Sequence, residues 1–114
     1  MNLAVISGNF GYDPEFQVSK NGTPIFKGSL CVKNRSRKKT NYIDIVAFNK
    51  TAELMRDHLK KGSFLLVEDG EIDMDEWTAE DGKKRRKIKV ILNRMDFGPK
   101  AASKAGVTED IDGF

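Results

Sequence analysis

The sequence predicts an all-β domain with one short helix, and three observations carry that prediction. Apolar and polar residues alternate over residues 26–33 and 41–48, the period of a strand with one buried face. Turn chemistry punctuates the chain at Gly8-Asn9, Asp13-Pro14, Asn21-Gly22 and Asp81-Gly82. A helical stripe is confined to residues 49–61, where Ala52, Met55 and Leu59 share one face. A chain of 114 residues suits a single compact core. Charged residues make up 32% and no uncharged run approaches the roughly 18–20 residues of a membrane span, so a soluble, cytoplasmic protein without membrane contact is expected. No basic segment precedes a long apolar run at the N-terminus, so no signal peptide is expected. One cysteine, Cys31, and one histidine, His58, supply neither an intrachain disulfide nor a zinc-type ligand set. No metal and no cofactor are expected.

The elements follow in order. Residues 2–10 form a first strand, ended by Gly8-Asn9, Gly11 and Asp13-Pro14. After a hairpin-type turn at residues 20–24, Phe26, Gly28, Leu30 and Val32 alternate with Lys27, Ser29, Cys31 and Lys33 in a second strand. In the third, residues 41–48, Ile43, Ile45 and Ala47 share one face and Tyr42, Asp44, Val46 and Phe48 the other. The helix is expected from a capping Asn49 to about Lys61, with Asp57 four residues before Lys61 and Gly62 as its stop. Residues 63–67 continue through 72–77 as a fourth strand, and residues 85–97 form the fifth.

Charge alone argues the register of the last hairpin. A three-residue loop of Glu80, Asp81 and Gly82, with Gly82 in the left-handed position, sets Ile72 opposite Val90, Asp73 opposite Lys89, Met74 opposite Ile88, Asp75 opposite Lys87 and Glu76 opposite Arg86. A two-residue loop would instead place Asp73 opposite Val90 and Asp75 opposite Ile88. The first register puts Trp77 and Arg85 on the polar face, so Trp77 is expected to be exposed. Three strands, a helix and a two-stranded arm within residues 1–97 describe a five-stranded barrel of the oligonucleotide-binding (OB) type with an extended β-hairpin arm. Residues 98–114 have little to bury against an ordering cost of roughly 1–2 kcal/mol per residue, and are expected to form a disordered tail with an acidic tip.

The net charge of +3 is unevenly placed. Residues 1–62 carry 11 Lys/Arg against 5 Asp/Glu, a net +6, whereas residues 63–97 carry 7 against 9 and residues 98–114 carry 2 against 3. A basic front half invites an anionic partner. Single-stranded nucleic acid is held by cations that meet phosphates and by flat aromatic faces that stack on bases. Tyr42 and Phe48 fall on the polar face of the third strand and Trp77 on that of the arm, while Lys33, Arg35, Arg37, Lys38 and Lys39 cluster before the third strand. Arg85 and Lys87 add cations on the arm beside Trp77.

Gly8-Asn9, Asp13-Pro14-Glu15, Asn21-Gly22-Thr23, Val46-Ala47-Phe48, Lys50, Ala52-Glu53, Leu59-Lys60-Lys61-Gly62-Ser63 and Val67-Glu68 occur in order over nearly the whole chain. With an acidic tip ending in Phe114, this set resembles the bacterial and phage single-stranded DNA-binding protein family. The resemblance implies an OB fold that coats single-stranded DNA, with Tyr42, Phe48 and Trp77 at stacking positions. It also implies a homo-oligomer, tetramer or dimer, and a tip of Asp110, Ile111, Asp112 and Phe114 that recruits replication and repair proteins. The chain departs from the family pattern at Gly113, where the tip usually has proline. It departs again at Val67-Glu68-Asp69-Gly70, one residue longer than usual, which predicts a bulge at Asp69.

Three rival readings compete with this one. A nuclease would need Glu68, Asp69, Glu71, Asp73 and Asp75 as metal ligands, but Asp73 and Asp75 each face a lysine that neutralises them. A primosome-like protein-interaction barrel would bind partners without DNA. An RNA-binding barrel would use the same stacking faces.

Overall fold

The computed structural model describes residues 1–98. The tail expectations, including the tip of Asp110, Ile111, Asp112 and Phe114, lie outside the described residues. Six strands and one helix follow in order: β1 (Ala4–Phe10), β2 (Glu15–Val18), β3 (Pro24–Lys33), β4 (Thr40–Phe48), α1 (Asn49–His58), β5 (Phe64–Thr78) and β6 (Lys84–Asp96). The sheet runs β1-β5-β6-β4-β3-β2, and a β1–β3 pairing closes it. Among the described residues no helix is long and apolar enough to cross a membrane.

The short strand β2 is absent from the sequence expectation. It pairs with β3 from Glu15↔Lys27 to Val18↔Pro24, while the end of β1 pairs with the same strand through Asn9↔Cys31 and Phe10↔Leu30. β1 and β2 therefore lie end to end along β3 as one bent strand, broken at residues 11–14. Counted in this way the barrel has the five strands of the predicted class. Strands β4 and β6 pair in parallel through Asp44↔Lys89, Ile45↔Val90 and Val46↔Ile91, which sets the arm beside the face of β4.

The core follows from the alternation. Phe26, Leu30, Ile45, Met55, Leu65 and Val67 are fully buried, each contributing about 1.5–3 kcal/mol by its removal from water. The rings of Phe10 and Phe26 meet edge to face at 5.9 Å. Ala52 and Met55 turn the buried stripe of α1 into this core.

The helix departs from expectation at both ends. Asn49 makes no capping hydrogen bond; the chain leaves extended Phe48 and passes through Asn49 at φ 59°, a left-handed value that asparagine tolerates. Its backbone, rather than its side-chain oxygen, starts the helix. The far end comes at His58: Leu59 turns extended at φ −118° and ψ 140°, and Lys61 beyond it donates its backbone N–H to Asp13 Oδ1 at 3.0 Å. Asp57 pairs with Arg56 at 3.0 Å instead of with Lys61.

The hairpin register agrees with the charge argument at every pair, from Ile72↔Val90 to Glu76↔Arg86 and on to Trp77↔Arg85. Gly82 has φ 82°, and Ala79 N–H donates to the carbonyl of Lys83 at 2.8 Å, which closes a three-residue loop. The pairing shifts on either side of Asp69, where a bulge was expected; two residues of β5, Glu68 and Asp69, stand against the single Val5 between Ala4↔Gly70 and Ile6↔Val67. Asn2 ties the arm's base to the N-terminus, its amide bonding both the N–H and the carbonyl of Ile72 at 2.8 Å. Beyond that point residues 71–78 are all exposed, so the arm projects from the barrel.

Candidate nucleic-acid interface

A groove opens between the sheet and the arm. It encloses about 700 Å³ between the outer face of β3 and β4 and the inner face of the arm. Its floor comes from alternate residues of two paired strands, Ile25, Lys27 and Ser29 against Phe48, Val46 and Asp44. Asp75, Lys87 and Lys89 form the arm's side, and Tyr12 stands at the edge.

The predicted aromatics share this face. Phe48 lines the groove and is 38% exposed, and Tyr42 lies on the same side of β4 at 59%. Six residues of extended chain separate them, about 20 Å. Trp77 is two residues beyond groove-lining Asp75 on β5, hence on the same side of the arm, and is 47% exposed, as its register required. Of the three predicted rings only Phe48 lines the groove; Tyr42 and Trp77 are accessible on the same sides of β4 and β5 as its lining residues.

The cations divide into two groups. Lys33 ends β3, and Arg35, Arg37, Lys38 and Lys39 occupy the turn before β4, held by the Asn34 N–H bond to the Lys39 carbonyl at 2.6 Å. All five are exposed, and among the described residues none of them makes an ion pair. The arm's cations are already engaged. Arg85 reaches Asp81 at 3.1 Å, and Lys87 reaches Asp44 at 2.7 Å. The expectation that Lys87 neutralises Asp75 needs correction: although the two are cross-strand neighbours, Lys89 takes Asp75 at 3.1 Å and Asp73 at 3.7 Å, leaving Lys87 to cross to β4. The hydrogen bond to Asp44, then that carboxylate's charge, raises the Lys87 ammonium above the ordinary lysine pKa.

Lys87 therefore meets a phosphate only by giving up Asp44. Asp44→Asn removes the competitor; binding of single-stranded oligonucleotide is expected to tighten by up to about fivefold at low salt, the scale of an exposed ion pair. The salt dependence should steepen by about 0.7 in log-log slope for one added phosphate contact. Anisotropy titrations across salt concentrations measure both, and unchanged affinity and slope would place Lys87 outside the path of the strand.

Of the predicted site residues Phe48 and Lys87 line the groove, and among the lining residues that sequence reasoning missed are Lys27, Lys89 and Tyr12. Lys27 and Lys89 carried a signal, since strand alternation already put them on the polar faces. Tyr12 carried none, because it falls in the break between β1 and β2. Its ring stands 6.4 Å from that of Tyr42 at an interplanar angle of 25°. His58, by contrast, lies away from this face, stacked on Phe97 at 5.0 Å with Nδ1 2.9 Å from the Leu54 carbonyl.

Comparison with known proteins accords with this geometry. The family model for the single-strand binding protein family matches residues 1–98. Single-stranded DNA-binding protein 2 of Chlorobaculum tepidum is 35% identical over 100% of this chain and 80% of its own length. The single-stranded DNA-binding protein of Thermotoga maritima is 33% identical over 84% of this chain and 72% of its own. That of Fusobacterium nucleatum is 31% identical, covering 96% and 73%. On the family match over the whole described region and on these identities, the chain belongs to the single-strand binding protein family.

Proposed function

We propose that this chain binds single-stranded DNA without sequence preference and without catalysis, coating it during replication, recombination or repair. The observation that carries the reading is the exposure of Tyr42, Phe48 and Trp77 on the outer sides of β4 and the arm, together with five cations before β4 that make no ion pair among the described residues. Lys33, Arg35, Arg37, Lys38 and Lys39 draw in the phosphate backbone with release of counterions, and the rings hold the unstacked bases. Arg85 and Lys87 contribute after leaving their carboxylates. Duplex DNA, its bases already stacked, binds far more weakly. Residues 1–97 act as the binding domain, and residues 98–114 as a tail that recruits replication and repair proteins through Asp110, Ile111, Asp112 and Phe114.

The chain works as a homo-oligomer, dimer or tetramer, in the cytoplasm. Two features support self-association: the arm's other face leaves Ile72, Met74 and Ile88 about half exposed, and Leu3 and Val5 are exposed beside it. Such an apolar surface gains by being covered.

Trp77 is the only tryptophan and reports on the site directly. Titration with oligo-dT is expected to quench its fluorescence, and a duplex of equal length to leave it nearly unchanged. If all five loop cations meet phosphates, the log-log salt slope is about −3.5, a loss of roughly 100-fold between 50 and 200 mM salt. Anisotropy of labelled oligo-dT and oligo-rU runs in parallel. No binding to either would leave the protein-interaction barrel as the account, and preference for oligo-rU would make RNA the ligand. Binding without quenching would move the site from the arm towards Tyr42 and Phe48.

A further inference from the structure

Tyr12 belongs to none of the sequence-predicted sites, yet it is 63% exposed at the edge of the groove and its ring faces that of Tyr42. Its segment is held from three sides. Gly11 N–H donates to the Ser29 carbonyl at 3.3 Å, Asp13 Oδ1 accepts the Lys61 N–H at 3.0 Å, and the next residues enter β2 against β3. Gly11 also permits the close approach: a Cβ there would stand 3.0 Å from Cys31 Sγ and 3.4 Å from Tyr42 Cε1. Tyr42, in turn, is fixed opposite Cys31 in the β3–β4 ladder. The backbone that carries each ring is therefore fixed by the fold.

Their spacing is informative. Rings in face contact lie about 3.4 Å apart, the rise between stacked bases, so a base with a ring on each side needs about 6.8 Å. The Tyr12 and Tyr42 centroids are 6.4 Å apart and the rings are inclined by 25°, a separation just under that figure, so a base enters between them only as the exposed Tyr12 ring tilts outward. The charges nearby set which end of a nucleotide enters. The groove is lined by three lysines, Lys27, Lys87 and Lys89, and four carboxylates, Asp13, Glu15, Asp44 and Asp75, a net of −1. Phosphate is drawn instead to the loop of Lys33, Arg35, Arg37, Lys38 and Lys39, next to Thr40 at the Tyr42 end of β4.

We infer that Tyr12 and Tyr42 together form a two-ring site that takes one unstacked nucleobase, with Tyr12 as a base-contacting residue in its own right. The inference rests on the single-stranded DNA reading and adds a residue and a subsite to it. The test compares the full chain with Tyr12→Phe, Tyr12→Leu and Tyr12→Ala on oligo-dT and on an equally long oligomer of abasic deoxyribose phosphates. Loss of one stacking face is expected to weaken oligo-dT binding about 5- to 30-fold in the Leu and Ala variants, with Phe within about twofold of the parent. Abasic oligomer affinity should be the same for all four proteins. Irradiation of a 5-iododeoxyuridine oligomer bound to the parent chain should also yield a cross-link at Tyr12, which a residue that only supports Tyr42 would not give. Equal oligo-dT affinity across the variants overturns the inference while leaving the function intact. So does an equal loss on both oligomers, or cross-linking at Tyr42 without Tyr12. Failure of the parent chain to bind oligo-dT at all overturns the function reading, and the two-ring site with it.

Discussion

Replacing Trp77 with alanine is expected to weaken oligo-dT binding by about 5- to 150-fold, the range that corresponds to about 1–3 kcal/mol for one stacked base. Stability should hardly change. Residues 71–78 are exposed along the arm, and Trp77 pairs with Arg85 only through the two-stranded ladder, so its ring is not part of the core. An arm that projects from the barrel can present a broad aromatic face at little folding cost. Trp77→Phe should recover much of the affinity, because a smaller ring still stacks. Arg85→Ala makes a useful contrast, since Arg85 already has Asp81 at 3.1 Å and must leave it to meet a phosphate. Its loss is expected to cost about twofold, within the small range of exposed ion pairs. Anisotropy measures affinity and thermal melting checks the fold. If Trp77→Ala binds oligo-dT like the parent while the parent's tryptophan is quenched, bases pass close to the arm without being held by it.

The contrast between Trp77 and Arg85 also marks what a sequence can convey. The arm's register was legible because Asp73, Asp75 and Glu76 had to find Lys89, Lys87 and Arg86, and because Gly82 fixed the loop length. Trp77's exposure followed from that register by alternation alone. The bulge at Asp69 was legible only through the family resemblance, as one residue more than the usual pattern at Val67-Glu68-Asp69-Gly70. The ion pairs were not, because they depend on tertiary placement. Parallel pairing of β6 with β4 brings Lys87 to Asp44, and Lys89 then serves both arm aspartates. Strand β2 was missed for a related reason. It is four residues long and mostly exposed, so little local pattern marks it, and it exists because β3 offers an open edge. Tyr12 was hidden with it, in a break that reads as a turn. Asn49 was a sound choice for a helix start, but polarity alone cannot distinguish a side-chain cap from a residue that tolerates left-handed φ.

The barrel's closure gives the other large effect. Gly8→Ala is expected to destabilise the domain by about 3 kcal/mol, the upper part of the usual overpacking range. Gly8 lies where β1 passes between two neighbours: it pairs with Leu65 of β5, and one residue later Asn9 pairs with Cys31 of β3. A Cβ at Gly8 would land on the Cys31 carbonyl oxygen, well inside van der Waals contact, and 2.9 Å from its carbon. These are backbone atoms, and Cys31 is held on its other side by Tyr42 of β4. It cannot step aside as the end of a flexible side chain could, so relief must come from parting β1 and β3 at the seam. Gly22→Ala is the matched control. Gly22 has φ 84° with nothing within 4 Å of an added Cβ, so alanine there pays only for the left-handed backbone, about 1–2 kcal/mol. In a domain of this size each kcal/mol moves the melting midpoint by about 4–8 °C, so the two variants should be separable by calorimetry. Because Cys31 faces Tyr42 across the ladder, a parted seam should also disturb the aromatic end of the groove. Gly8→Ala is therefore expected to lose oligo-dT affinity even well below its melting temperature, while Gly22→Ala keeps it. A Gly8→Ala protein as stable as the Gly22→Ala control would mean that the β1–β3 seam yields at little cost, and that β5, not closure through β3, holds the first strand in place.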